Sequence, residues 1–215
     1  MLNKCFKGEN MIKIETFCDH FNNANTYLIT NDKDAIVIDP ANNIKILTKY
    51  INDKKLVAIL LTHGHYDHFK SLRELIKIYD AKIYLHKEAY KKLNDINLSF
   101  ANAFGCNNLE EIKSDKCEFV NDGQTLKINE FEIKIKYLPG HTNCSVAYII
   151  ENNMFVGDVV FRNSIGRTDL PTGKSIAMME SINYFKRLKT NYNIYPGHDE
   201  ETCVNELFKV NPYFR

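Results

Sequence analysis

The chain has 215 residues, enough for one large domain or at most two small ones. Its formal net charge of +1 removes any global electrostatic case for nucleic acid, and no apolar run approaches the ~20 residues of a membrane span. With 44% apolar and 26% charged residues, the composition is that of a water-soluble globular protein.

The polar decapeptide Met1 to Asn10 lacks the apolar stretch of an export signal. It is expected to be a flexible extension, with one domain over 11–215 and a cytoplasmic location by default. Six cysteines lie at 5, 18, 106, 117, 144 and 203 with no C-x-x-C among them. They are expected to be reduced thiols, mostly buried as small apolar residues.

Ile12 to Cys18 alternates and predicts a strand. Thr26 to Thr30 and Ala35 to Ile38 predict two more across the turn Asn31 to Asp34, and Asp39-Pro40 ends the third. Ile44, Leu47 and Ile51 form a helical stripe. Leu56 to Leu61 is a continuous apolar run, the mark of a strand buried on both faces. Leu72, Leu75, Ile76 and Tyr79 predict the next helix, with Ser71 and Glu74 as a capping box. Lys82 to Leu85 follows as a strand. From His86 to about Lys116 the pattern is irregular, apart from a short helix near Glu88 to Leu93. That excursion is longer than a connection needs and is expected to wall a pocket.

In Phe131 to Tyr137 apolar residues alternate with charged ones, which predicts a half-buried strand. Ser145 to Ile150 and Met154 to Val156 form a predicted hairpin. A charged loop, Arg162 to Lys174, leads to a helix with Met178, Ile182, Phe185 and Leu188 on one face. Tyr192 to Tyr195 is a last short strand, followed by a short helix. The order fits an α/β fold, a four-layer αββα sandwich of two mixed sheets with helices on the outer faces.

The buried run 56–61 delivers His63, His65, Asp67 and His68 at its C-terminal end. Three of only seven histidines within six residues are hard to assign to chance. Imidazole and carboxylate are ligands for zinc, iron or manganese. A strand, a break and a candidate ligand recur at Leu138-Pro139-Gly140-His141, Val156-Gly157-Asp158 and Tyr195-Pro196-Gly197-His198. Glycine beside a ligand lets the backbone approach closely. His20 and His86 lie outside these motifs and are taken as ordinary histidines.

This set resembles the metallo-β-lactamase fold hydrolases: Asp39, the His63–His68 cluster, His141, Asp158 and His198 follow one another in the family's order. The resemblance implies a two-metal centre, zinc first, with iron or manganese as alternatives. His63, His65 and His141 would hold one ion, Asp67, His68 and His198 the other, and Asp158 would bridge them. Asp39 would accept a hydrogen bond from a ligand imidazole and fix its tautomer; as a bare sequence feature it also reads as a turn-forming Asp before proline. Gly157 to Pro171, Asn97-Leu98-Ser99 and the closing Tyr195 to Tyr213 are similar to the short glyoxalase II-like, or hydroxyacylglutathione hydrolase-like, subgroup. Asn143-Cys144 stands where relatives have Pro-Gly, and Asp199-Glu200 where many have small residues. Only seventeen residues follow His198, so no counterpart of the helical domain that holds glutathione in full-length relatives is expected, and glutathione recognition is not carried over.

Two divalent ions ~3.5–4 Å apart can bind one hydroxide between them and supply a nucleophile at neutral pH. Asp67 and Asp158 do not cancel the ions' charge, so the centre favours a small anionic substrate. A thioester fits best, because a thiol of pKa ~8.5 leaves without a dedicated general acid. Asp67 and Asp39 are the expected catalytic carboxylates. Arg162, Arg167 and Lys174 are candidates to receive substrate carboxylates, with a solvated loop in which Arg167 pairs with Asp169 as the alternative, and Tyr66 either lines the pocket or packs in the core. A mononuclear-iron persulfide dioxygenase-like oxidoreductase is the alternative activity. No nucleic-acid, membrane or required protein partner is expected.

Overall fold

The computed structural model describes residues 12–19, 21 and 23–215. The expected N-terminal extension, Cys5 and His20 lie outside them. Six strands form the first sheet: β1 (Lys13–Cys18), β2 (Asn25–Thr30), β3 (Asp34–Ile38), β4 (Lys55–Leu60), β5 (Lys82–His86) and β6 (Cys117–Val120), in that spatial order. β1, β2 and β3 pair antiparallel, whereas β3 to β6 run parallel. Parallel neighbours need crossovers. α1 (Ile44–Ile51), α2 (Leu72–Ile78) and α3 (Lys87–Leu93) lie along those connections.

The second sheet holds β7 (Thr125–Ile128), β8 (Phe131–Tyr137), β9 (Val146–Ile150), β10 (Asn153–Gly157), β11 (Asn193–Pro196) and the two-residue β12 (Thr202–Cys203). Its one parallel pair, β10 with β11, is bridged by α4 (Ser175–Lys186). α5 (Val204–Val210) follows β12.

Side-chain alternation assigns the layers. Ile36, Ile38, Ala58 and Leu60 point into a core shared with Ile133, Ile135, Val146 and Tyr148 of the second sheet. Their neighbours Val37 and Ile59 point the other way, onto Ile51 of α1, Leu72 and Leu75 of α2, and Ala89 and Leu93 of α3. Ala147, Ile149, Met154 and Val156 turn outward onto Met178, Ile182 and Phe185 of α4 and Leu207 of α5. The result is helix, sheet, sheet, helix, as the element order implied. Each fully buried Ile or Leu contributes about 1.5–3 kcal/mol. β4 is apolar on both faces because it lies between the helix layer and the facing sheet. Tyr148 spans the gap: its hydroxyl lies 3.0 Å from the Leu61 carbonyl and 2.8 Å from that of Tyr84, beneath the histidine loop.

Two local expectations need correction. Ser71 makes no side-chain cap on α2; its hydroxyl donates instead to the Asn42 carbonyl, joining two loops. The capping box fails because Ser71 has φ −94° and ψ 2°, not the extended backbone of a side-chain cap. The pair β11–β12 was not anticipated, since a two-residue strand carries no readable period. The five described cysteines are free thiols, but only Cys117 and Cys144 are buried.

Candidate metal centre

The site begins where β4 stops. Thr62 N–H donates to Asp39 Oδ1 at 2.8 Å, and Thr62 Oγ1 donates to Asp39 Oδ2 at 2.6 Å. Asp39 can do this because it follows β3 in the left-handed region, φ +48°, which Asp tolerates better than most residues. Asp39 therefore forms the turn and ties it to the start of the histidine loop. A 3₁₀ turn, Tyr66–His68, then follows His65 and carries Asp67 and His68, both buried. Gly64 lies against Lys92 of α3: a Cβ there would meet Lys92 Cβ at 2.7 Å.

Three more loops converge on this one. His141 follows β8, Asp158 follows β10 and His198 follows β11. Gly157 takes φ +53° and passes so close to Thr62 that a side chain would strike its hydroxyl. A Cβ on Gly197 would fall on Asp158 Oδ1 and lie 2.6 Å from His68 Cε1. Glycine is the residue that permits both approaches.

The outer nitrogens of three imidazoles have partners. His63 Nδ1 lies 3.1 Å from Thr62 Oγ1, His68 Nδ1 3.1 Å from Asp39 Oδ2, and His141 Nδ1 2.8 Å from the Arg167 carbonyl. Those contacts aim the remaining nitrogens at one another. His65 Nδ1 and His141 Nε2 are 2.9 Å apart. Asp158 stands between the groups, Oδ1 3.4 Å from His68 Nε2 and Oδ2 3.4 Å from His141 Nε2 and 3.5 Å from His198 Nε2. Asp67 Oδ2 is 3.4 Å from His198 Nε2. His63, His65 and His141 form one set with ligand atoms within 4.8 Å of one another, and Asp67, His68 and His198 form a second.

These residues fit a pair of cations. His63 Nε2, His68 Nε2 and Asp158 Oδ1 are buried without a hydrogen-bond partner. Orphaned buried polar atoms are costly unless something else satisfies them. Burial, then His68, drives the His63 pKa well below its ordinary value. Burial and then His141 bring His65 down to about 3, and burial lowers His141. Neutral imidazole has the free lone pair a cation needs. At His68, burial opposes charge, but Asp158 and Asp67 outweigh it and raise the pKa well above normal. Asp158 is held well below the carboxylate range by His68 and His198, again against burial. Positive charge is thus favoured at the carboxylate-rich half of the cluster.

The structure brings all seven predicted side chains together, with Asp39 behind them. It does not do so for the cationic candidates. Arg162 bonds Glu200 at 2.9 Å and Glu206 at 3.3 Å. Lys174 is exposed where the chain enters α4. Arg167 does line the cleft over the cluster, but Asp169 holds its guanidinium through two bonds of 2.7 Å. In each arginine a nearby carboxylate captures the fork before a ligand arrives. Tyr66 packs on Phe69 and Phe104 and is not a cleft wall. Sequence reading missed Thr62, the Arg167 carbonyl and Lys92, whose contacts are set by backbone and packing. It did anticipate a wall from the excursion after α3, which supplies Phe100, Ala103 and Phe104.

Comparison with known proteins agrees with this picture. The family described as the Metallo-beta-lactamase superfamily matches residues 21–198. A probable metallo-hydrolase of Streptococcus pyogenes serotype M6 is 33% identical over 95% of this chain and 91% of its own length. The hydroxyacylglutathione hydrolase GloC of Haemophilus influenzae is 34% identical over 88% of this chain and 92% of its own. The crystal structure of the BLEG-1 B3 metallo-beta-lactamase superposes with a TM-score of 0.86 at 28% identity, covering 95% of this chain and 99% of that one.

Proposed function

The chain belongs to the metallo-beta-lactamase superfamily, and from that premise we propose that it is a metal-dependent hydrolase of thioesters, glyoxalase II-like in its chemistry. The observation that carries the reading is the pair of ligand sets with Asp158 lying between them at the floor of one open cleft. His63, His65 and His141 would hold one ion, Asp67, His68 and His198 the other, with Asp158 serving both. Zinc suits this imidazole and carboxylate set, and iron or manganese is also compatible with it.

Divalent ions held by these residues would supply a water of pKa near 7 and an electrophile for a carbonyl oxygen. The chain's own residues do the rest. Asp39 and Thr62 fix the orientation of His68 and His63, and the Arg167 carbonyl fixes that of His141. Phe100, Phe104 and Phe161 line the cleft with hydrocarbon, which holds water away from the reacting atoms once a substrate is seated. Among the described residues no lysine or tyrosine lines it. A leaving group therefore receives no proton from such a donor, which favours a thiolate over an amide nitrogen. The likeness to GloC supports the same substrate class.

The test is a thioester panel on protein of known metal content, with S-lactoylglutathione beside thioesters of other thiols. His65→Ala should abolish the activity at unchanged fold. Near wild-type turnover by that variant, or oxygen uptake with persulfides in place of thioester hydrolysis, would defeat the proposal.

A further inference from the structure

The cleft of about 530 Å³ above the cluster has walls of two kinds. The floor is polar: His65, Asp67, His141, Asp158 and His198. The sides are largely hydrocarbon, from Phe100, Phe104, Phe161 and Leu170, interrupted by Ser164, Arg167 and Asp199. The rings flank both halves of the floor. Phe100 stands 6.0 Å from the His65 ring and Phe161 6.3 Å from the His198 ring.

Phe100 is held there at φ +63°, a conformation that costs a bulky residue energy and persists only where its surroundings enforce it. They do: the Tyr66 N–H donates to the Ser99 carbonyl at 2.8 Å, and Phe100 itself bonds Asn97 and Ala103 through its backbone. The backbone next to a histidine ligand is thus strained to present an aromatic face.

The charged groups on the sides do not favour an anion. Arg167 is the cation among the described lining residues, and Asp169 occupies its fork. A substrate carboxylate arriving there exchanges one carboxylate partner for another and gains little at an exposed pair. Asp199 lines the same cleft and repels it.

We infer that this cleft selects a substrate by an apolar group, carried on either the acyl or the thiol side, and reads no carboxylate of the thiol carrier. The inference rests on the thioester reading for the reaction, but concerns a binding surface that can be measured without turnover. A neutral thiol carrier with a hydrocarbon or aryl group suits the walls; a glutathione tail, with two carboxylates, does not.

The experiment is binding to the metal-loaded full-length chain of two homologous series. One is the alkanoates from acetate to hexanoate, which report the acyl side. The other is S-methyl to S-hexyl N-acetylcysteamine, thioethers that report the thiol side and are not hydrolysed. A methylene taken fully out of water tightens binding about fourfold. Affinity should rise at least tenfold across one series, and the steep series identifies which side of the substrate the walls hold. Phe104→Ala and Phe161→Ala should flatten that slope. S-methylglutathione should bind no tighter than S-methyl-N-acetylcysteamine. Flat behaviour in both series, or a tenfold gain from the glutathione tail, overturns the inference. A steep series in a protein that hydrolyses no thioester sinks the proposed reaction and leaves the apolar cleft standing; hydrolysis with flat series does the reverse.

Discussion

Asp39 Oδ2 lies 3.1 Å from His68 Nδ1, and neither side chain has appreciable contact with solvent. The same carboxylate accepts from both the N–H and the hydroxyl of Thr62. One group thereby sets the tautomer of His68 and anchors the loop that also carries His63 and His65.

Asp39→Asn separates charge from geometry. Asparagine is isosteric and tolerates the left-handed backbone at this position. The variant should fold, yet lose about 10–100-fold in affinity for an ion at the Asp67, His68, His198 set. Chelator competition followed by metal analysis reads this directly. Unchanged affinity would mean that Asp39 serves the turn alone.

Gly197→Ala tests how tightly the loops converge. The added methyl would land on Asp158 Oδ1 and His68 Cε1, both fixed from other strands. Overpacking of this kind costs about 1–3 kcal/mol. Lower thermal stability is expected, together with loss of bound metal. A variant with wild-type melting and full metal content would show the loops to be slack.

Lys92 is 2% exposed, with its ammonium donating to Thr172 Oγ1 at 2.7 Å. Burial lowers its pKa, against the opposite pull of Cys144, Glu88 and Asp95. Between the folded pKa and ~10.4 the unfolded chain therefore binds more protons than the folded one. The wild type should gain stability relative to Lys92→Met as pH rises through that window. Urea midpoints of both proteins near pH 7 and near pH 9.5 check the sign; a gap moving the other way contradicts it.

Burial pushes the Cys117 thiol up to about 11, with Asp115 adding to it, and burial also raises Cys144. The thiolate is the reactive form. Both residues should resist iodoacetamide in the native protein at about pH 8.5 and react on unfolding, whereas exposed Cys18 should react at once. Mass mapping of the alkylated peptides decides it.

Much of this was legible along the chain because the physical signals are local. Alternation in Phe131–Tyr137 records one face on the core and one toward solvent. The unbroken run before His63 records a strand covered on both sides. Glycines beside His141, Asp158 and His198 record backbones that had to come close. None of these needs knowledge of a distant residue.

Partner choice is a different matter, because it depends on which loops the two sheets bring together. Arg162, Arg167 and Lys174 read either as receivers of substrate carboxylates or as a solvated loop with Arg167 paired to Asp169; the structure has that pair, a contact two residues apart, but only the folded chain gave Arg162 to Glu200 and Glu206. Ser71 read as a cap, but the loop beside it offered the Asn42 carbonyl. The hydrocarbon sides of the cleft combine Phe100 and Phe104 with Phe161 and Leu170, from segments some sixty residues apart. A chain can encode its ligands through residue type and spacing. What surrounds them is settled by long-range packing, where a contact's energy depends on two positions that no local pattern links.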